Sequence, residues 1–336
     1  MRMAVLDVGS NTVRLMVADT GGALPLPVHT AKDRLRLADH TGPGGEIPPA
    51  QVDRLAEAVH DARTEADIRG SDTLLAFATA IVRDAPNRPE VVREVARRTG
   101  VVLHTLDGET EAELTFLAAR RWMGWCAGPL AMLDIGGGSL DVAFGRSRLP
   151  DFAASLPLGA NLLTRDFFGE TDPPSRLVLK ELRRHVRHRL RDVAARIRWE
   201  RPATTVATSR TFQQLGRLCG APPGRHGPFV PRVLDAADLR PAVRRLRGLT
   251  AAERSRLPGI SPARARQSLA GALVAHTAMG LMGIDRLTIC PWGLREGVLL
   301  RSIEEGGTAW WPLTARGEEP PEEPRIPALA APAALR

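Results

Sequence analysis

The sequence predicts an α/β protein of two related domains whose hairpin turns face each other across a cleft. Three observations carry this. First, an apolar run ending in an acid, a glycine-bearing polar turn and a second apolar run occur twice: MAVLDVGSNTVRLMVAD from residue 3, and LAMLDIGGGSLDVAF from residue 130. The acids that open the two turns, Asp7 and Asp134, lie about 127 residues apart. Second, 336 residues exceed one small core and fit two domains of about 150. Third, short apolar runs alternate with amphipathic helical patterns along most of the chain.

In the first hairpin Gly9 supplies the tight bend, and Ser10, Asn11 and Thr12 place short side-chain donors beside free backbone N–H groups. Residues 20–50 read as further strands and a turn-rich link, and 51–68 as a helix. The His60-Asp61 pair inside that helix resembles half of a metal site. Without further His and Asp at helical spacing it reads as exposed polarity. A strand over 73–79 delivers Arg83, whose guanidinium fork suits a phosphate or, equally, an ion pair with Asp84 or Glu90. A helix over 89–99 and a strand over 101–106 follow. The next helix, from 109 to about 122, starts with Glu109, Glu111 and Glu113. Such acids answer the helix dipole, or one of them serves as general base for water.

In the second hairpin Gly136, Gly137 and Gly138 with Ser139 form a turn whose successive N–H groups can cradle an anion. Asp134 and Asp141 flank it, and paired acids beside a phosphate suit a divalent metal. A plain glycine-rich hairpin with two solvated acids fits this stretch equally well. Beyond it come a strand near 149–163 and a helix over 175–201 carrying ten basic residues against three acids. That helix presents either a solvated outer face or a track for a polyanion. A strand over 204–208 enters a helix at Ser209 with Arg210 in its first turn, a phosphate-binding arrangement. A loop over 222–231, helices from 235 to about 257 and over 261–282, a strand over 287–290 and a last helix over 298–303 complete the order. The Pro/Ala/Glu-rich tail, 306–336, is expected to be disordered.

Composition narrows the function. No run of 18 apolar residues exists, so no membrane helix is expected. Three dispersed cysteines make neither a disulfide framework nor a zinc site, and no leader pattern opens the chain, which suggests a cytoplasmic setting. The net charge is +8, but only two of the 46 basic residues, Lys32 and Lys180, are lysine. With 4% aromatics and no tyrosine, the charge points to phosphate rather than nucleobases, and no nucleic-acid partner is expected.

Seven blocks in order give the chain a resemblance to a known family: AVLDVGSNTVRLMVAD, FATAIVRDAPN, GETEAELTF, LDIGGGSLDVAFG, LPLGA, VATSRTF and ICPWGLREGVLL. Together they resemble the exopolyphosphatase and guanosine-pentaphosphate phosphatase (Ppx/GppA) family, in its short form without a C-terminal HD-type domain. The resemblance implies two ribonuclease-H-like domains of the actin-like/sugar-kinase superfamily flanking a central cleft. They would span 1–120 and 121–296, with a last helix at about 297–305 packed back on the first. It implies Glu111 as catalytic base and Asp141 as a catalytic or metal-positioning residue. It assigns phosphate contacts to Asp7, Gly9, Ser10, Asn11, Thr12, Arg83, Gly136, Gly137, Gly138, Ser139 and Arg210. Asp134 and Asp141 would hold Mg²⁺ or Mn²⁺. Two positions depart from the family pattern: Asp141 stands where Glu is usual, and Ala80 replaces a hydroxyl residue.

The implied activity is metal-dependent hydrolysis of the terminal phosphoanhydride of inorganic polyphosphate by a homodimer. The same chemistry on guanosine pentaphosphate is the nearest alternative. An ATP-dependent kinase, for which Gly271 or Gly293 would contact the nucleotide, and a non-hydrolytic polyphosphate sensor are the other classes considered.

Overall fold

The computed structural model describes residues 1–21, 25–42, 44–308, 310 and 311. Two mixed sheets organise it. The first has the order β3-β2-β1-β4-β5, with β1 Arg2–Val8, β2 Val13–Asp19, β3 Pro27–Asp33, β4 Thr73–Ala78 and β5 His104–Thr105. The second has the order β10-β11-β9-β6-β7-β8, with β6 Leu130–Ile135, β7 Leu140–Gly145, β8 Phe152–Leu156, β9 Thr204–Ala207, β10 Val233–Asp235 and β11 Arg286–Ile289. In each sheet an antiparallel hairpin (β1–β2, β6–β7) adjoins a strand parallel to its first member: β4 beside β1, and β9 beside β6.

The strands that open the hairpins are apolar throughout because both of their faces are buried. Ala4, Leu6 and Val8 of β1 pack outward with the helices Pro49–Ile68 and Arg88–Thr99, whereas Met3 and Val5 face inward. In β6, Ala131, Leu133 and Ile135 join the outer helices Arg176–Glu200 and Ser268–Met282, and Met132 faces inward. Two helices fill the space between the sheets. Helix Gly108–Met123 places Leu114 against the first sheet and Phe116 and Leu117 against the second. Helix Leu294–Glu304 lies along it, and Gly297 permits the contact, because a Cβ there would overlap the Leu114 carbonyl.

Local differences from the sequence reading have physical causes. Only His104 and Thr105 of the expected 101–106 strand pair with β4, while Val101, Leu103 and Leu106 are buried as core plugs. The expected helix over 261–282 starts at Ser268, after a separate turn Pro262–Arg264. The last helix starts earlier, at Leu294, because the Glu296 carboxylate accepts from the Gly293 amide and caps it. β10 went unread; three residues carry too little pattern. The tail expected from 306 begins with packed chain. Trp311 is buried against Phe77 and His104, with ring centroids 6.1 and 5.5 Å away, and Trp310 donates to Ser302. Indole burial over a sheet outweighs the ordering cost there; residues 312–336 lie outside the described residues.

Candidate active site

The carboxyl ends of β1, β4, β6 and β9 converge on one cleft of about 700 Å³. Both hairpin turns close by the same bond. Gly9 N–H donates to the Thr12 carbonyl at 3.0 Å, and Gly136 N–H to the Ser139 carbonyl at 2.9 Å. Each turn is also braced from behind. Arg36 and Ala38 amides donate to the carbonyls of Asn11 and Ser10. The carbonyls of Gly136, Gly137 and Gly138 accept from amides of residues 159–162. The two turns touch: a Cβ on Gly137 would overlap the Ser10 hydroxyl, and one on Gly138 would come within 2.9 Å of the Ala80 Cβ. The second turn needs glycine because the first turn and the β4 exit occupy the space side chains would take.

Asp7, Glu111, Asp134 and Asp141 line this cleft, together with Asp84 and Asp166. Asp134 and Asp141 are direct cross-strand partners in the β6–β7 hairpin. Burial pushes the Asp134 carboxyl up to about 6, against the opposing hydrogen bond from Thr208. Burial, then the charge of Asp134, pushes Asp141 up to about 7, although Ser155 donates to it at 2.5 Å. Glu111, 7% exposed in the first turn of its helix, is raised well above the usual carboxylate range by burial and by Asp141. Arg83 opposes this through a 2.5 Å bond to Glu111 Oε1; it also donates to the Leu106 carbonyl and to Asp84. The arginine fork thus makes the Asp84 pair that the sequence allowed and holds Glu111 as well. Asp7 is raised by burial and pulled back by Arg295, 3.8 Å away, and by Arg14.

A second group of residues was not singled out from the sequence. Arg14 and Arg264 line the cleft with Arg210, and none of the three forms an ion pair among the described residues. Burial, then the charges of Arg14 and Arg210, pushes Arg264 down to about 10. Arg14 carried a signal, a charge within the buried VRLMVAD strand, and Arg264 another, the Pro262 that interrupts a helical pattern. Ser155 and Thr208 had none, since they act only through acids that the fold brings beside them. Ser209 adopts a left-handed backbone (φ 69°) that turns the chain between Thr208 and Arg210. Such strain costs about 1–3 kcal/mol and concentrates at ligand sites. Gly271, a possible nucleotide contact for a kinase, is packed between Thr211 and Ala160. His60 and Asp61 are exposed on their helix.

The donor set suits a divalent cation shared with a ligand. Asp134 and Asp141 sit opposite each other, repel each other, and form no ion pair among the described residues. No cluster of three or more His, Cys, Asp or Glu able to hold a metal alone occurs among those residues. Mg²⁺ is commonly held by one or two carboxylates with substrate phosphates and water completing its shell. The two aspartates fit that role.

The model of the Ppx/GppA phosphatase family matches residues 16–305. The chain belongs to the Ppx/GppA phosphatase family. It is 45% identical over 313 residues to Exopolyphosphatase 1 of Mycobacterium tuberculosis, covering 92% of this chain and 91% of that protein. Its fold is similar to the Ppx/GppA family member of Aquifex aeolicus, with TM-score 0.77 and 25% identity over 91% of this chain and 98% of that one. It is also similar to an exopolyphosphatase from Cytophaga hutchinsonii, with TM-score 0.82 and 22% identity over 91% and 98% of the two chains. The two sheets with their repeated hairpins are therefore the two ribonuclease-H-like halves of this family's fold, and the chain is a phosphatase.

Proposed function

We propose that this phosphatase is an exopolyphosphatase that hydrolyses the terminal phosphoanhydride of inorganic polyphosphate and releases orthophosphate. The observation that supports it best is the cleft itself. Two glycine-bearing turns meet beside a buried Glu111 and, among the described residues, Arg14, Arg210 and Arg264 flank them without an ion pair and no aromatic side chain lines the cleft. A chain of phosphates needs nothing more, whereas a nucleoside calls for a stacking or base-reading surface.

In this reading the end phosphate rests between residues 9–12 and 136–139, whose amides and hydroxyls receive its oxygens. Glu111 takes the proton from the attacking water. Burial and the neighbouring Asp141 raise its proton affinity, which is the property a base requires, and Arg83 keeps the carboxylate oriented. Arg14, Arg210 and Arg264 offset charge on the phosphates behind the scissile bond. Asp134 and Asp141 would hold Mg²⁺ or Mn²⁺, which would supply positive charge to offset the phosphate oxygens. Ser155 and Thr208 keep those aspartates turned toward the cleft.

Glu111→Gln should lower the rate of phosphate release about 10²–10⁴-fold while polyphosphate still binds. Near-normal turnover in that variant would remove Glu111 from the mechanism. Phosphate release from tripolyphosphate, long polyphosphate and guanosine pentaphosphate, each with Mg²⁺ and with Mn²⁺, tests the substrate. Faster turnover of the guanosine compound would overturn the polyphosphate reading.

A further inference from the structure

Helix Arg176–Glu200 carries a groove of its own, of about 540 Å³, which shares no lining residue with the cleft. Arg176, Lys180, Arg183, Arg184 and Arg187 recur at helical spacing along one face. Arg247, just past helix Ala236–Leu246, closes the other side. Among the described residues, Leu179 is the only apolar one in the lining, and no acid contributes to it.

These cations have little counter-charge, unlike two arginines further along the helix. Further along, Arg196 pairs with Glu200 and Arg191 with Asp192. In the groove, Arg176, Lys180, Arg183, Arg187 and Arg247 form no ion pair among the described residues, and Arg184 reaches Glu181 only at 3.6 Å. The Arg183 Nε is buried without a hydrogen-bond partner. Burial, then Arg247 and Arg187, push the Arg183 guanidinium below its ordinary range. The same field extends to His276, held down by burial and by Arg183, Arg240 and Arg187. Cations gathered without counter-charge, one of them burying an unpartnered donor, destabilise the empty surface and complement a multivalent anion.

The shape of the stripe selects the anion. From Arg176 to Arg187 it runs about 16 Å along the helix, which suits several phosphates in a row better than one. Among the described residues no aromatic ring lines it, so they offer bases no platform to stack on and favour an inorganic chain over a nucleic acid. We infer that this groove is a second anion site, holding the part of a polyphosphate chain that lies outside the cleft. The inference rests on the polyphosphate reading above for its ligand.

The test is binding of long polyphosphate and of tripolyphosphate to the full chain across a salt series, with phosphate release measured in parallel. The variants are Arg176→Gln/Arg187→Gln, two exposed positions, and separately Arg183→Gln. At about 0.1 M salt the double variant should bind the long chain roughly tenfold more weakly. Its salt slope should fall by about two, one for each lost phosphate contact. Binding of tripolyphosphate and release from it should be unchanged, and equal thermal melting shows the fold is kept. If Arg183→Gln unfolds, the exposed pair decides alone. Unchanged long-chain affinity and slope would overturn the site, and so would tighter binding of a single-stranded oligonucleotide of equal charge. Should wild type release no phosphate from either substrate while the double variant still loses long-chain binding, the hydrolytic reading fails and the groove stands.

Discussion

The two hairpin turns share a closing bond and a leading aspartate, yet they differ in how that aspartate is answered. Asp7 faces Arg295 and Arg14 and is charge-compensated within the protein. Asp134 faces Asp141 and is answered more weakly: the neutral Thr208 hydroxyl donates to it, and the charge of Arg264 adds less than that bond. The side chains differ in the same sense. The first turn offers Ser10, Asn11 and Thr12, whereas the second offers three glycines and Ser139. In the function proposed above, the first turn is therefore the better suited to gripping anions, and the second carries the carboxylates that would hold a cation.

The largest expected effect breaks this asymmetry directly. Asp134→Asn should lower phosphate release about 10²–10³-fold and raise the Mg²⁺ concentration needed for half-maximal rate. Asp7→Asn should cost less than about tenfold and leave the Mg²⁺ requirement unchanged. Equal losses in a Mg²⁺ titration of both variants would erase the distinction.

Next in size is stability. Asp134 and Asp141 have folded-state values of about 6 and about 7, above the ordinary carboxylate range. A raised carboxyl favours the folded state while protonated, so that stability is full below the unfolded value and is lost as pH rises through 6–7. The metal-free protein should therefore melt higher at pH 5.5 than at pH 8, by on the order of 5 °C. Asp141→Asn should remove most of the difference, and Mg²⁺ with phosphate should shrink it. A melting temperature that rises from pH 5.5 to 8 would contradict the assignment of these shifts.

The smallest effect sharpens the picture of the second turn. Ser155→Ala removes the hydrogen bond that holds Asp141 down, so the acidic limb of the pH–rate profile should move to higher pH, with a loss of only a few-fold at its plateau. An unmoved limb would show that Ser155 only fills space.

Much of this site was readable in the sequence because its parts are local. An apolar run, Asp, glycine turn and apolar run fit within about 15 residues, and the acid at a helix start is equally compact. The cleft arginines were not readable as a group. Arg14, Arg210 and Arg264 come from three distant segments, on β2, just past β9 and after the turn at Pro262, and only the folded cleft brings them together. Asp141 falls between these cases. Its spacing from Asp134 was visible, but the charge repulsion between them depends on the hairpin register. Near 306 a Pro/Ala/Glu-rich composition predicts disorder, whereas Trp310 and Trp311 pack against the fold.

Helix Gly108–Met123 carries Glu111 at its tip and is wedged by Leu114 against one sheet and by Phe116 and Leu117 against the other. Its thickness therefore acts as a spacer gauge for the mouth of the cleft. If the two halves rock about this helix, Glu111, the proposed base, stays near the pivot while the glycine turns swing toward or away from it. Catalytic alignment in this protein is then tied to how far apart the two sheets stand, and a side chain deep in the layer between them, such as Phe116, sets that spacing without touching substrate.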